Sequence, residues 1–526
     1  MDYWAKPVLD REQTLLFYPT LDSTISDDHP VRQLEEILRG LDWSAWEAEY
    51  DGTRGQPPIP PWVLAGVILY GMMRRVRSSR MLEYLCTHSF DYIWLVEGRR
   101  IDYSTICNFR KRFGKPLKDL FRQVVQIGMR MGLVTLLEVA FDGTRVKANA
   151  SRCATWTAKR LEAALKELES LFDQAMAETD QADAAAQDAG AKKHSLPPDL
   201  ATAKARQAKL KELLAEIQAA DEARRKAGTN PEKNPAQIPK ADTDSVLMPN
   251  KEGGHAPNYT PLAATDAKDG WIVDADVVAD PHEEGETLAA VDHIEENFGE
   301  KPERFMADSQ HATGANLEGM EQRQVDFYTP MESPSPTEGN PAKREDPRQA
   351  VPEAEWGKLP RNAQKKLDKS DFVYDAEKDL YYCPMGRELR YEETKKQERG
   401  GATVEMRVYR CPNCEGCGLA SECRAPKAVR GRSIRRDPYE PVRERMHQKV
   451  KSPEGKAIYA RRMHTAETPF GYIKAVMGLR QFLLRGLENV RTEWLWTCTA
   501  YNLKKLLTAV ARLRAEVAKM RTETTS

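Results

Sequence analysis

Strand-like periodicity in this 526-residue chain comes in three separated pieces, and that dispersion constrains the fold more than any bulk property. The first piece, Leu133 to Phe141, is apolar and partly β-branched, ends at Asp142-Gly143, and is followed by the alternating Thr144 to Ala148. It reads as a buried strand with a hairpin partner. The second runs from Tyr259 to Ala264, turns at Asp269-Gly270 and continues from Trp271 to Val278. The third is the short Arg304 to Ala307, which follows a helical stretch from about Glu284 to Phe298 and ends at Asp308. Strands alternating with helices predict a mixed α/β core. The long intervals predict that insertions split it.

The intervening segments differ in character. From Thr155 to Gly228 the chain is rich in Ala, Glu, Lys and Gln, with Leu161, Leu165, Leu168 and Phe172 on one stripe and Leu210, Leu214 and Ile217 on another. Interrupted at His194 to Pro198, this predicts an antiparallel helical hairpin, with a Pro- and Lys-rich linker, Asn230 to Lys240, behind it. Pro330 to Pro438 reads as irregular, Pro-rich and charged, a second insertion. The expected organisation is a helical DNA-binding unit over 1–132, core segments over 133–154 and 251–330, insertions over 155–250 and 331–438, and a third core segment with C-terminal helices over 439–526.

Charged residues make up 30% of the chain, yet the net charge is only −1. This excludes a globally basic nucleic-acid coat and a uniformly acidic tail protein, so any DNA-binding surface must be local. One candidate is the helix capped by Asp102 or Ser104, whose exposed side is expected to offer Arg110, Lys111 and Arg112 to phosphates in a helix-turn-helix-like unit; the alternative is an ordinary solvated basic face. Another is the basic run from Arg424 to Arg462, including Lys427, Arg432, Arg436, Arg443, Arg445, Lys449 and Arg461, which reads as a DNA-backbone track or a solvated helix face. No stretch approaches the roughly 18 apolar residues of a membrane span, and the start, Met1 to Pro7, lacks the layout of a secretion signal. A cytoplasmic, nucleoid-associated protein is expected.

Asp142 and Asp308 each stand where a predicted apolar strand ends, the place where α/β sheets present ligand-binding groups. Each has a plainer reading, Asp142 as a turn former before Gly143 and Asp308 as a helix cap. A third acid, Glu467, lies amid Arg461, Arg462 and Lys474. Glu467 and Lys474 are seven residues apart and share a face if the helix is continuous, although Pro469 predicts a kink or a broken first turn. His311 and His464 are lone histidines, read as structural or solvent-facing. Five of the nine cysteines fall between Cys383 and Cys423. The pair Cys414 and Cys417 has the CxxC spacing that lets two thiolates meet one tetrahedral Zn²⁺. The favoured ligands are Cys383, Cys414, Cys417 and Cys423, with Cys411 as substitute.

Taken together, the chain resembles the DDE transposases of bacterial insertion sequences, of the insertion-sequence-1182 type. The resemblance rests on Asp102 to Arg110, Phe141 to Ala150, Ala307-Asp308-Ser309, Glu467 to Lys474, and the tail from Arg485-Gly486-Leu487 to Tyr501-Asn502-Leu503. It implies a ribonuclease-H-like mixed sheet, with Asp142, Asp308 and Glu467 as a triad binding two Mg²⁺ (or Mn²⁺), and terminal inverted repeats and target DNA as substrates. In related transposases a Tyr and an Arg precede the Glu; Tyr459 and Arg462 have the right mutual spacing but lie one residue too far from Glu467. Separations of 166 and 159 positions between the acids fit the two insertions. A homodimer or larger assembly on DNA is expected. Rival readings are a non-catalytic zinc-containing DNA-binding regulator and a metal-dependent nuclease without strand transfer.

Overall fold

A computed structural model describes residues 20–50, 57–187, 198–226, 228–249, 253–331, 339–399, 402–424 and 430–524. Its central sheet is built from β1 (Glu138–Gly143), β2 (His255–Asp266), β3 (Ile272–Val278), β4 (Arg304–Met306) and β5 (Asp326–Tyr328), in the order β3-β2-β1-β4-β5. β1 and β3 each run antiparallel to β2, whereas β4 runs parallel to β1 and β5 parallel to β4. Ala140 of β1 is paired with Met306 of β4, and two residues further along each chain come Asp142 and Asp308. The continuous apolar character of β1 and β2 is that of strands covered on both faces.

Two details differ from the sequence reading. β1 begins at Glu138, because Leu136 takes a left-handed φ of 54° and Leu137 is half exposed. Thr144 to Ala148 does not fold back on β1: Thr144 N–H donates to Pro261 O (2.9 Å), so the chain runs on beside β2 and Val146 pairs with Tyr259.

Helices α1 (Gly114–Arg130), α2 (Thr287–Phe298), α3 (Gly314–Gln322), α4 (Glu440–Lys451), α5 (Pro453–Ala475) and α6 (Leu487–Thr524) surround the sheet. Helix α5 starts where Ser452 accepts from Gly455 N–H (2.9 Å), with Pro453 in the first turn, where its missing N–H costs nothing. It then continues through Pro469, contrary to the expected break. Pro469, Phe470 and Ile473 are buried, and that packing outweighs one lost backbone hydrogen bond. On α6, Trp494 Nε1 donates to Leu262 O (2.9 Å), Trp496 Nε1 to Arg110 O (3.2 Å), and the Asn502 amide pairs with both backbone groups of Ile272. The N-terminal helices, the sheet and α6 consequently share one hydrophobic core.

The helical hairpin is present as Ala158–Gln187 and Pro198–Lys226, with its own small core of Leu161, Leu165, Leu210, Leu213 and Ile217. Leu213 is more deeply buried than the expected Leu214. The break at His194 to Pro197 lies outside the described residues. The second insertion is not irregular: β6 (Val373–Asp375), β7 (Leu380–Tyr382), β8 (Glu388–Arg399), β9 (Ala402–Arg410) and β10 (Ser433–Arg436) form an antiparallel sheet in consecutive order. Cross-strand partners in the β8/β9 hairpin include Lys396 with Glu405, and β8 beyond Tyr391 offers no apolar alternation to read, whereas β9 alternates at Val404, Met406 and Val408. Among the described residues no helix is long and apolar enough to cross a membrane.

Candidate active site and cysteine cluster

Asp142 at the end of β1, Asp308 just beyond β4, and Glu283 in the turn after β3 offer carboxylate oxygens that all lie within 4.8 Å of one another. Asp308 caps a short turn by accepting from Gln310 N–H (2.9 Å), and its own carbonyl accepts from Thr329 Oγ1 (2.6 Å). The capping reading of Asp308 holds, and a capping carboxylate keeps a second oxygen for another partner. Asp142 forms an ion pair with Arg462 of α5 (3.1 Å), and both side chains are largely buried. Glu283 is 7% exposed and its Oε2 has no hydrogen-bond partner. A Cβ on Gly143 would stand only 1.6 Å from that oxygen, so β1 needs a glycine there for close packing; its φ is not among the positive ones.

Behind the acids sits His311, fully buried rather than solvent-facing. Its Nδ1 lies 2.8 Å from Thr287 Oγ1, and its Nε2 is 3.7 Å from Asp308 Oδ1 and 3.9 Å from Glu283 Oε1 without a hydrogen bond. Burial raises the Glu283 carboxyl to about 7, with the charges of Asp142 and Asp308 adding to the rise. Burial also raises Asp142 against the opposing pull of Arg462, with Asp308 and Glu467 adding smaller upward contributions. Burial lowers His311 to about 4. Three acids facing one guanidinium in a partly dry site repel one another as anions.

The structure thus brings Asp142 and Asp308 together with Glu283. Glu467, exposed on α5, is felt electrostatically by Asp142 but is not part of the gathered trio. Sequence reasoning missed Glu283 because it sits in the acid-rich run His282 to Glu286, where only burial distinguishes one carboxylate from the next.

The candidate DNA-binding cations are distributed unevenly. Arg110 is 3% exposed, which corrects its expected placement on an open face: that side of its helix packs on α6, and its Nη1 donates to Arg77 O (2.9 Å). Lys111 and Arg112 are exposed. Arg461 pairs with Glu138 (Nε to Oε2, 2.9 Å), Arg462 with Asp142, and Lys474 Nζ donates to Thr144 Oγ1 (2.5 Å) and Arg145 O (3.0 Å), bracing the turn after Asp142. Much of the basic run before Glu467 is also neutralised internally, by Arg436 with Glu444, Arg443 with Asp437, Arg445 with Glu321 and Lys449 with Asp326. Such pairing leaves less of an open cationic track than the sequence suggested; Lys427 lies outside the described residues.

Cys383, Cys411, Cys414, Cys417 and Cys423 line one small pocket in the second insertion. Burial raises Cys423 to about 12, and the neighbouring Cys383, Cys414 and Cys417 push the same way. Cys411 Sγ donates to Asn413 O (3.1 Å), whereas Cys383 Sγ accepts from Arg387 N–H (3.3 Å). The thiols are gathered less tightly than the carboxylates, which among the described residues form the group with ligand atoms all within 4.8 Å.

A mixed α/β sheet that ends its adjacent parallel strands in converging carboxylates defines a protein with an acidic site suited to a hard divalent cation. Residues 382–507 match the family described as transposase DDE domain, and residues 19–112 match the transposase domain (DUF772). Both matched families are transposase families, so the chain carries a transposase DDE domain. The matched DDE segment includes Glu467, Lys474 and the cysteine cluster, while Asp142 and Asp308 lie upstream of it. Among solved structures the chain is similar to the Mos1 transposase paired-end complex with left transposon end, at 10% identity over 59% of this chain and 67% of that one. The TM-score is 0.15, a likeness too distant to bear on the fold. No curated protein matches the chain.

Proposed function

We propose that the protein, as a transposase of the insertion-sequence-1182 type, cleaves and joins DNA strands at the ends of its own element, with Asp142, Asp308 and Glu467 as the catalytic acids. The observation that carries this reading is the meeting of the Asp142 and Asp308 carboxylates at the ends of two adjacent parallel strands. The strand order β3-β2-β1-β4-β5 supports a ribonuclease-H-like core. An all-oxygen donor set and an unpartnered buried oxygen on Glu283 fit Mg²⁺ or Mn²⁺. Asp142 and Asp308 would hold such ions, which when bound would supply activation of water or a 3′-hydroxyl and stabilisation of the leaving 3′-oxygen.

The chain's own contributions are positional. Asp142 and Asp308 hold the cations, Arg462 balances charge at Asp142, and Lys474 fixes the turn that follows it. Glu467 approaches from α5. Terminal inverted repeats engage Lys111 and Arg112 on the N-terminal helices and Arg461 near the site, the protein acting as a homodimer or larger assembly on repeat and target DNA. Cys383, Cys414, Cys417 and Cys423 hold a structural Zn²⁺ that draws the insertion together.

The test is cleavage and strand transfer on DNA carrying the terminal repeats, with Mg²⁺ present, by Asp142→Asn, Asp308→Asn and Glu467→Gln. Loss of both reactions with retained DNA binding is expected for each. Full strand transfer by any of the three removes that acid from the mechanism, and cleavage without joining by the wild type makes the protein a nuclease instead.

A further inference from the structure

We propose that Glu283 is a ligand of the divalent cation, and that Asp142, Glu283 and Asp308 take up this cation before DNA arrives, with Glu467 outside the cluster. The inference rests on the reading of Asp142 and Asp308 as metal ligands and adds a residue to it. Four observations converge on Glu283. Its carboxylate is within 4.8 Å of both aspartates. It is 7% exposed, yet Oε2 meets no donor. The backbone beneath it is kept bare: a Cβ on Gly143 would collide with Oε2 at 1.6 Å and with Cδ at 2.8 Å. Finally, the fully buried His311 is aimed at the same place.

The orientation of His311 follows from its partners. The Thr287 hydroxyl donates to Glu284 O (2.9 Å), so it accepts from His311 Nδ1, leaving the lone pair on Nε2. That lone pair faces Asp308 Oδ1 and Glu283 Oε1 at 3.7 and 3.9 Å. The pocket therefore collects acceptors with Arg462 as the cation beside them, and Arg462 is paired with Asp142 rather than with Glu283. Buried acceptors without a donor are costly unless a cation satisfies them. A hard divalent ion among carboxylate oxygens is the group that does so for all three acids at once.

The experiment is a titration of the full, DNA-free protein with Mn²⁺, followed by the electron paramagnetic resonance of free Mn²⁺ and by the rise in melting temperature on binding. Glu283→Gln is expected to weaken Mn²⁺ binding by about 10–100-fold, as Asp308→Asn does, whereas Glu467→Gln stays within about twofold of wild type. Melting without metal shows whether each variant folds, and Glu283→Asp, which keeps a carboxylate on a shorter stem, should recover part of the affinity. Wild-type affinity in Glu283→Gln, with binding lost in Asp142→Asn and Asp308→Asn, overturns the proposal and leaves the transposase site standing. Wild-type affinity in all of them overturns both.

Discussion

Replacing Gly143 by Ala separates two accounts of the Asp142-Gly143 pair. If the glycine served only a turn, the substitution would be cheap, because Gly143 lies in β1 and is not among the glycines with positive φ. The packing account predicts otherwise. The new Cβ would lie 1.6 Å from Glu283 Oε2, and ordinary contact begins near 3.4 Å, so the carboxylate must retreat by roughly 1.8 Å; Leu262, at 2.9 Å, must also yield. Overpacking of this kind costs about 1–3 kcal/mol, offset by about 0.4–1 kcal/mol from the stiffer unfolded chain. A net destabilisation of roughly 1–2 kcal/mol is expected. A metal ligand tolerates displacement of about 0.2 Å, so Mn²⁺ affinity should fall to that of Glu283→Gln. The decisive assay is a double-mutant cycle by denaturant unfolding. In a Glu283→Ala background the carboxylate is gone and only the Leu262 contact remains, which the stiffer unfolded chain offsets, so Gly143→Ala should then cost near zero, a coupling of about 1–2 kcal/mol. An equal cost in both backgrounds, or unchanged Mn²⁺ affinity in the single variant, would refute the packing account.

The cysteine pocket should yield about one zinc per chain by elemental analysis, since a closed thiolate site holds one ion; Cys423→Ser should lower both zinc content and melting temperature, and zinc-free protein with unchanged melting contradicts the assignment. The His293 and Asp274 pair (3.5 Å) should make stability depend on pH, because hydrogen bonding to Asp274 raises His293 above its ordinary 6.5. A group raised in the folded state contributes stability that is fully present below the ordinary value and lost as pH rises through the folded one; His293 is half exposed, so the effect is modest, and His293→Gln should flatten that portion of a melting-versus-pH curve. An identical curve in the variant excludes this pair as the source.

Asp142 and Asp308 were legible because each follows an apolar run, and chain direction alone then places them at one end of a parallel pair. Glu283 was not legible: its identity as the buried acid among His282 to Glu286 depends on how the turn after β3 lies over Gly143, a contact between residues 140 positions apart in sequence. Arg462 was visible as a cation but not as the partner of Asp142, since its offset from Glu467 departed by one residue from the familiar spacing. Arg110 was misplaced because the sequence does not say which side of its helix α6 covers, and that side takes in Arg110 but neither Lys111 nor Arg112. The helical hairpin was readable from two leucine stripes; in the second sheet the outer half of β8 is polar and gave no signal, whereas the alternation of Val404, Met406 and Val408 in β9 was a signal that the sequence reading passed over.

The hairpin insertion also has a boundary that sequence placed too far along. Its helices pack on their own small core, which shares no residue with the main one. It leaves and rejoins the body at the antiparallel pair Thr155–Trp156 and Ile238–Pro239, close enough for a tight turn to join them. The residues just after that pair belong to the body: Asp242, 3% exposed, accepts from Tyr259 Oη (2.7 Å) and from Gly486 N–H (3.0 Å), and Asp244 accepts from Leu487 N–H (2.9 Å) where α6 begins. Helix α6 in turn holds β2 and β3 through Trp494 and Asn502. Replacing residues 157–237 by a four-residue turn should therefore leave a folded protein with wild-type Mn²⁺ affinity. Asp242→Ala in the full chain should instead cost about 1–3 kcal/mol for the buried donors it orphans. Unfolding melts of the two variants check both statements, and a shortened chain that fails to fold while Asp242→Ala melts like wild type would show that the hairpin, not its trailing segment, supports the core.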